Sequence, residues 1–450
     1  MMNLFGHSAR SEMCVLYLVD ALTCFFAVYM LLVLGGPQAS TAENREALAF
    51  AAVLAFSSGP VFIAGGLYEP AAWSQARRLA ISSVVAALLL LPLALLTLTV
   101  LHPPSLEGGA WRGLWRVLLA SVAAVAVTRF AFAALNRAGL FTRRVALLQD
   151  GPNAIRSEKT ARGEALPGSL EIAFVAPLGT PSMADLPDWL RAQRIWALVA
   201  AQSVVVPEAL RQRCEARGVR VFEDAEFSEE RFRRVDIDAL PRDWLHAAGA
   251  MNESLLEAGL RRLLDVAVSL LLLLLTLPLL LLTAFAIKLD SPGPVFYRQE
   301  RIGRGGKAFM LFKFRSMTVD AEANGAPRWA AREDPRTTRV GRLIRLTRID
   351  EIPQVLNVLR GDMAVVGPRP ERPAFVEQLG RLIPRYDDRA CVKPGITGWA
   401  QINYPYGASV EDARHKLSYD LYYVRRRSVF LDLLILIKTV RVVVFQEGSR

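Results

Sequence analysis

Residues 261–288 read RRLLDVAVSLLLLLLTLPLLLLTAFAIK. The uncharged part, Val266 to Ile287, is 22 residues long, enough for a helix across about 30 Å of hydrocarbon. Basic residues flank it on both sides, and such flanks are typical of the cytoplasmic face. Pro278 in the middle removes one helical hydrogen bond. We therefore predict a re-entrant helix at about 261–287 that breaks near Pro278 and returns to the same face. A plain fifth span is the alternative.

Four further apolar stretches precede this helix and predict transmembrane spans. They are Met13–Leu34, Ala47–Leu67, Leu79–Leu101 and Val117–Leu135. Basic residues concentrate on the side that carries the N-terminus, which predicts a cytoplasmic N-terminus. Asp20 and Arg129 are ionisable groups inside spans, and such groups are costly in lipid. A structural ion pair between the first and fourth helices is favoured over a functional role.

Composition agrees with a membrane protein that has a basic cytoplasmic part. The 450 residues are 52% hydrophobic with a net charge of +11, which excludes a disordered tail and an ordinary soluble enzyme. Residues 251–450 hold 31 Lys and Arg against 21 Asp and Glu, so +10 of that charge lies there. This suits anionic headgroups and phosphorylated ligands. No nucleic-acid-binding motif is present, and the four cysteines lack the spacing of a zinc site or disulfide framework.

Residues 143–247 alternate short β-rich runs with helix-compatible stretches, which predicts a small α/β module with a parallel sheet. The turn after its first strand has one glycine, Gly151, followed by Pro152, and this is not a dinucleotide fingerprint. The predicted fold class is thus a membrane protein, α plus α/β. A four-span transmembrane domain covers 1–140, a degenerate Rossmann-like α/β module 141–248, and a C-terminal α/β catalytic domain with the re-entrant helix 249–450.

Adjacent carboxylates mark the chemistry of the last domain. Asp350 and Glu351 point about 100° apart on a helix, so they suit two different tasks rather than one shared proton. Pro353 tolerates only a first helical turn, which places both carboxylates at a helix N-terminus, where phosphate also binds. A dipole-compensating cap is the alternative reading of such a pair.

Six runs, in this order, resemble the bacterial sugar transferases, the monotopic polyprenyl-phosphate phosphoglycosyl transferases. They are RRLLD at 261–265, SPGPVF at 291–296, FKFRSM at 312–317, DEIPQ at 350–354, GDMAVVGPRP at 361–370 and KPGITGWAQ at 393–401. The four spans and the α/β module resemble the longer members of that family. The segments 404–409 and 445–450 resemble its exosortase-associated exopolysaccharide branch. Where the family commonly has Ser-Pro at the helix break, this chain has Leu277-Pro278, with Thr276 as a substitute hydroxyl.

The resemblance implies roles for several residues. Asp350 would be the nucleophile that carries a phospho-sugar, Glu351 would ligate Mg²⁺, and Asp420 would be a substrate or metal-shell residue. Arg369, fixed between two prolines, suits a phosphate group.

Further candidates keep two interpretations each. Lys313 and Arg315 predict either substrate contacts or a solvated strand face. Arg261 and Asp265, one helical turn apart, predict either an ion pair or a headgroup clamp. The glycines of 303–306 favour a hairpin turn over a phosphate nest. The pattern of residues 429–445 predicts an interfacial helix.

The predicted function is transfer of a sugar 1-phosphate from a UDP-sugar to polyprenyl (undecaprenyl) phosphate, with release of UMP. It would proceed through a covalent Asp350 intermediate and initiate exopolysaccharide synthesis. The catalytic domain would lie on the cytoplasmic side of the bacterial inner membrane. A UDP-releasing glycosyltransferase and a non-catalytic scaffold for polysaccharide assembly are the alternatives. Partners are the UDP-sugar, polyprenyl phosphate and the lipid bilayer, not nucleic acid. The sugar and the oligomeric state, a homo-oligomer included, stay open.

Overall fold

A computed structural model describes residues 2–4, 7–9, 11–34, 41–68, 76–101, 110–137, 143–149, 170–177, 185–201, 204–238, 240, 244–247, 254–319, 336–404, 407 and 409–445. The chain forms two compact units, Met1–Glu230 and Arg231–Arg450. Five of the described helices are long and apolar enough to cross a membrane, four in the first unit and one in the second. The class of membrane protein predicted from the sequence is thus supported.

Four long helices dominate the first unit. They are α1 (Ser11–Leu34), α2 (Thr41–Ala64), α3 (Ala76–Leu101) and α4 (Ala110–Arg137), preceded by a short hairpin of β1 (Met2–Leu4) and β2 (His7–Ala9). Three of the four predicted spans lie within one of these helices, and Ala47–Leu67 runs three residues past the end of α2. Their shared core contains Phe50, Phe62, Leu90 and Leu118, all essentially inaccessible.

The predicted ion pair in this bundle is confirmed. Arg129 Nη2 lies 2.5 Å from Asp20 Oδ2, and both side chains are buried. The hydroxyls of Tyr68 and Thr128 each donate to an Asp20 oxygen at 2.6 Å, and Arg129 Nε donates to the Leu67 carbonyl at 2.8 Å. The polar groups satisfy one another, as buried charges in an apolar bundle require.

A four-stranded parallel sheet follows in the same unit. Its strands are β3 (Arg143–Gln149), β4 (Leu170–Pro177), β5 (Ile195–Ala200) and β6 (Arg220–Glu223), in the order β4-β3-β5-β6. Helices α5 (Leu186–Ala192), α6 (Glu208–Ala216) and α7 (Asp224–Phe232) follow along the chain. This sheet confirms the parallel sheet that the short β-rich runs of the sequence predict. Gly151 and Pro152, the residues that argued against a dinucleotide-binding turn, lie outside the residues that the structure describes.

The second unit begins before the predicted catalytic domain does. Val235, Ile237 and Trp244, the last in α8 (Trp244–Ala247), lie in its core, and Trp399 Nε1 donates to the Arg233 carbonyl at 2.8 Å. These residues lie within the range 141–248 assigned to the α/β module. Val235, Ile237 and Trp244 therefore pack with the C-terminal unit, although the domain boundaries themselves stay predictions.

A 36-residue helix, α9 (Leu255–Asp290), carries the apolar run. It keeps helical conformation through Pro278, so the break predicted there is corrected to a continuous helix that contains a proline. Thr276 Oγ1 donates to the Leu272 carbonyl at 2.7 Å, a back-bond that often bends helices. It does not reach the Leu274 carbonyl, which Pro278 leaves without a donor. The return of α9 to one face stays a prediction.

Small elements pack around α9. An antiparallel hairpin pairs β7 (Phe296–Ile302) with β8 (Ala308–Phe314), and two short strands, β9 (Ala364–Val366) and β10 (Gly395–Thr397), run parallel. Helices α10 (Arg339–Leu346), α11 (Val355–Arg360), α12 (Pro373–Leu382), α13 (Trp399–Asn403), α14 (Val410–Arg426) and α15 (Val429–Val444) complete the unit. Gly305 and Gly306 adopt φ of 67° and 76° in the turn between β7 and β8. This confirms the predicted hairpin turn, which was favoured over a phosphate nest.

Candidate active site

The two adjacent carboxylates begin a short 3₁₀ segment, Ile349–Gln354, that continues into α11. Pro353 fits here because a first turn needs no N–H donor at that position. The predicted position of Asp350 and Glu351 at a helix start is thus confirmed. Both side chains are buried, so their charges need nearby compensation.

Three cations surround Glu351. Lys313 Nζ lies 3.0 Å and Arg369 Nη2 2.6 Å from its Oε1, while Arg348 Nη1 lies 3.7 Å from its Oε2. Burial opposes ionisation of Glu351, but Arg369 and Lys313 outweigh it and hold the pKa well below its usual range. Glu351 is therefore ionised at neutral pH.

Asp350 has the opposite environment. Its carboxylate accepts no hydrogen bond within the part of the chain that the structure describes. Burial, with a contribution from the charge of Glu351, raises the pKa of Asp350 from 3.8 to about 6, although Lys313 and Arg369 oppose the rise. A buried carboxylate with unused lone pairs, within the electrostatic influence of Lys313, Arg369 and Arg345, suits attack on an anionic phosphate.

Lys313 reaches the site because β8 is held against α11. Asn357, fully buried on α11, accepts from the Phe312 N–H at 3.0 Å and donates to the Met310 carbonyl at 2.7 Å. Burial lowers the pKa of Lys313, while Glu351 opposes that change. This amide clamp fixes the end of β8 beside the pair of Asp350 and Glu351, called the dyad below, and the sequence motifs had not pointed to it.

Arg369 is positioned by a second buried pair. Arg389 Nη2 donates to the Arg369 carbonyl at 2.9 Å and lies 2.8 Å from Asp420 Oδ2, while its Nη1 donates to the Tyr386 hydroxyl at 2.9 Å. Burial raises the pKa of Asp420, opposed by Arg389. Among the described residues, Arg389 thus links Asp420 to the backbone of Arg369, and the predicted role of Asp420 as a substrate or metal-shell residue stays a prediction.

The remaining predicted residues lie at the two ends of α9. Arg315 Nη2 donates to the Ser291 carbonyl at 2.7 Å, so it holds the end of α9 rather than the dyad. Arg261 Nη1 lies 3.7 Å from Asp432 Oδ2, and Asp265 Oδ1 accepts from the Val365 N–H at 2.8 Å. The sequence left two interpretations for Arg261 and Asp265, and the first of these, an ion pair between them, does not form.

Sequence reasoning missed Arg348, Arg389 and Asn357. Arg348 stands three residues before Glu351, a helical spacing that could have identified it. Arg389 and Asp420 are 31 residues apart, and Asn357 reaches Phe312 across 45. Such distances leave no local pattern in the sequence.

Comparison with known proteins finds similarity in the region that contains this site. The family model described as bacterial sugar transferase matches residues 256–446. The chain is 43% identical over 238 residues to the Aeromonas hydrophila UDP-N-acetylgalactosamine-undecaprenyl-phosphate N-acetylgalactosaminephosphotransferase, covering 53% of this chain and 55% of that relative. The chain thus spans about half the length of that protein.

Two other relatives are covered more fully. The Caulobacter vibrioides UDP-glucose:undecaprenyl-phosphate glucose-1-phosphate transferase is 45% identical over 182 residues, 40% of this chain and 68% of the relative. The uncharacterised sugar transferase EpsL of Bacillus subtilis is 43% identical over 193 residues, 42% of this chain and 89% of the relative. With the six sequence runs and the family match in one region, the chain belongs to the bacterial sugar transferase family.

Proposed function

We propose that this protein transfers a sugar 1-phosphate from a UDP-sugar to a polyprenyl phosphate such as undecaprenyl phosphate, with release of UMP. Relatives named for this type of reaction support it. The observation that carries the proposal is the contrast within the dyad. Asp350 has no hydrogen-bond or ion-pair partner among the described residues, whereas Glu351 is held by Lys313, Arg369 and Arg348.

The proposed course has two displacements at one phosphorus. An Asp350 oxygen attacks the β-phosphorus of the UDP-sugar, the bond from that phosphorus to the bridging oxygen breaks, and UMP leaves with the bond's electrons. An oxygen of the polyprenyl phosphate then attacks the same phosphorus and releases the Asp350 carboxylate. The product is a polyprenyl diphosphate sugar, and the enzyme returns to its starting state.

The cations and a divalent metal would share the charge of the diphosphate. Lys313 and Arg369 lie where they can turn from Glu351 toward phosphate oxygens. The donor set fits Mg²⁺, because one or two carboxylates with substrate phosphates suffice, and Glu351 Oε2 has only long contacts, of 3.5 and 3.7 Å. Held by Glu351, Mg²⁺ would stabilise the negative charge of the leaving phosphate.

The re-entrant course of α9 belongs to this proposal, since it would keep the dyad on the side that holds UDP-sugars. Near its start, Arg262 donates to the carbonyls of Val358 and Leu359, both at 2.7 Å. Near its end, Ile287 packs against Phe314, which is only two residues from the Asn357-bound Phe312. A straight helix would put Arg262 and Ile287 about 37 Å apart. Both ends of α9 are instead attached to neighbouring parts of β8 and α11, which Asn357 holds together. These attachments support a bent helix that returns to the same face.

Cysteine labelling tests that course. In a chain freed of its own cysteines, Gly259→Cys and Pro294→Cys, both at exposed positions, should react with an impermeant maleimide from the same side of sealed vesicles. Reaction from opposite sides would show a simple span and refute the return. A cytoplasmic catalytic unit in the bacterial inner membrane, acting at the start of exopolysaccharide synthesis, is the setting that we propose.

The activity is tested with full-length protein, Mg²⁺, polyprenyl phosphate and a panel that includes UDP-glucose and UDP-N-acetylgalactosamine. We expect UMP release with one donor and, without acceptor, a sugar-phosphate adduct on Asp350 detected by mass spectrometry. Asp350→Asn should abolish both. Release of UDP instead of UMP would establish an ordinary glycosyltransferase. Turnover by Asp350→Asn would refute the covalent course, and no turnover with any donor would favour the scaffold.

A further inference from the structure

Three hydrogen-bonded side chains follow one another along β7. Arg301 Nη2 donates to Gln299 Oε1 at 2.7 Å, and Gln299 Nε2 donates to the Tyr297 hydroxyl at 3.1 Å. Side chains two residues apart on a strand lie on the same face of the sheet, so all three belong to one face of the hairpin. Arg301, Gln299 and Tyr297 are called the β7 triplet below.

Both ends of the β7 triplet lie next to cations of the candidate active site. Tyr297 stands directly opposite Lys313 in the hairpin register, and residues paired in this way have their side chains on the same face. At the other end, Arg301 Nη1 donates at 3.0 Å to the carbonyl of Pro370, the residue after Arg369. Lys313 and Arg369 both pair with the same carboxylate of the dyad. The triplet therefore borders the site at which the phosphates would bind.

Arg301 anchors the triplet to the rest of the unit. Its side chain is mostly buried, and its Nη1 lies 3.6 Å from Glu371 Oε2 in addition to the bond to the Pro370 carbonyl. The next backbone N–H, that of Ile302, donates to the Glu371 carbonyl at 3.0 Å. With side chain and backbone both held, the guanidinium has a fixed place, and this fixes the end of Gln299 that bonds to it.

The hydrogen bonds of the triplet can run in one direction only. A guanidinium donates and cannot accept, so Gln299 must turn its Oε1 to Arg301. Its Nε2 then faces Tyr297, and the hydroxyl oxygen of Tyr297 is the acceptor. A phenol that accepts from one side directs its own proton to another acceptor. Tyr297 is 38% exposed, so a ligand can reach it.

We propose that Tyr297 is a substrate-contacting residue whose hydroxyl donates to an oxygen of the UDP-sugar diphosphate, and that Gln299 and Arg301 are positioning residues for it. The inference rests on the function proposed above. The place of Tyr297 opposite Lys313 favours the diphosphate over the nucleoside, because Lys313 is one of the cations that would bind phosphate oxygens. A neutral O–H adds a donor there without adding a further positive charge.

Binding of UDP to the full-length Asp350→Asn chain with Mg²⁺ tests the inference without turnover. Titration calorimetry should give a Kd about tenfold higher when Tyr297→Phe is added, because a hydrogen bond to a charged group is lost. Gln299→Leu should raise the Kd about threefold, since the hydroxyl then loses its direction but not its place. Together the two changes should raise it about tenfold and no more, because Gln299 acts through Tyr297. Uridine, which has no phosphate, should compete equally well with and without Tyr297→Phe.

Glu300→Gln is the matched control, because Glu300 is exposed on the same strand with its side chain on the opposite face, and it should leave the Kd unchanged. An unchanged Kd in Tyr297→Phe, or no UDP binding at all, would overturn the proposal. Losses that add in the double variant would refute the positioning role of Gln299, and an equal loss of uridine binding would refute the contact with the diphosphate. UDP binding that depends on Tyr297 in a protein without turnover would support this inference and count against the transferase function alone.

Discussion

Asp350 and Glu351 are neighbours in the chain with opposite electrostatic environments. Three cations surround Glu351, whereas burial dominates at Asp350 and raises its pKa to about 6. Pairs of titratable groups whose pKa values are pushed apart are typical of sites that need two different functions. At the residue scale, this difference leads to a prediction about pH.

We expect the donor half-reaction to lose rate as pH falls through about 6, because protonated Asp350 cannot attack. Well below that pH the loss should approach tenfold per pH unit. Arg345 lowers the pKa of Asp350 by its charge, so Arg345→Gln should move the acidic limb to higher pH. The measurement is kcat/KM for the UDP-sugar against pH, with folding checked in each buffer. A limb that stays in place in the variant would contradict this assignment.

Asp420 gives a second prediction at the same scale. Asp420→Asn leaves Arg389 buried without its carboxylate partner, which should cost about 3–5 kcal/mol of stability and lower kcat by loosening Arg369. Glu377→Gln, which breaks the exposed pair with Arg381, is the matched control and should change little. Unfolding of detergent-solubilised protein by denaturant measures both. Equal stability of Asp420→Asn and Glu377→Gln would show that the buried pair is not needed.

Among the elements, α1 and α4 are joined by a buried polar cluster in an otherwise apolar bundle. Asp20 on α1 accepts from Arg129 and Thr128 on α4 and from Tyr68. The cluster fixes which faces of the two helices meet, since any rotation would leave a charge without its partner.

We expect Asp20→Leu to destabilise the bundle by about 3–5 kcal/mol, because Arg129 keeps its charge in an apolar place. The double variant Asp20→Leu/Arg129→Met should recover much of that loss, since it removes both charges. The thermal midpoint of the full chain in detergent distinguishes them. A double variant less stable than Asp20→Leu would mean that Arg129 contributes through contacts other than this pair.

For the whole molecule, the family match and the dyad both lie in the second unit, Arg231–Arg450. The match covers 89% of the relative EpsL, so that relative has little sequence beyond the region that it shares with this unit. We expect a fragment of residues 231–450 to bind membranes and to retain UMP release, whereas a fragment that begins at 249 should be less stable. It would lose Val235, Ile237 and Trp244 from the core.

Comparing thermal midpoints and UMP release of the two fragments with the full chain checks this. The full-length Asp350→Asn variant gives the background rate. A folded but inactive 231–450 fragment would show that residues before 231 contribute to turnover.

Long helices, the parallel sheet, the hairpin and the helix start at Asp350 were determined by local sequence alone. Each depends on periodicity, on the length of an apolar run, or on a glycine or proline at one position. The continuity of α9 through Pro278 was not predictable in this way, because neighbouring elements and back-bonds decide whether a proline bends or breaks a helix. The sequence also identified most residues of the site by type, without their partners.

Only the tertiary structure decided which side chains meet. Lys313 and Arg369 reach Glu351 across 38 and 18 residues, and Arg389 reaches Asp420 across 31. It also separated Arg315 and Arg261 from the carboxylate pair. Charges so far apart in the chain interact because packing brings them together in a medium that screens them weakly. The sequence therefore determined the elements and their chemistry, and folding decided the electrostatic partners that make a carboxylate pair into a candidate site.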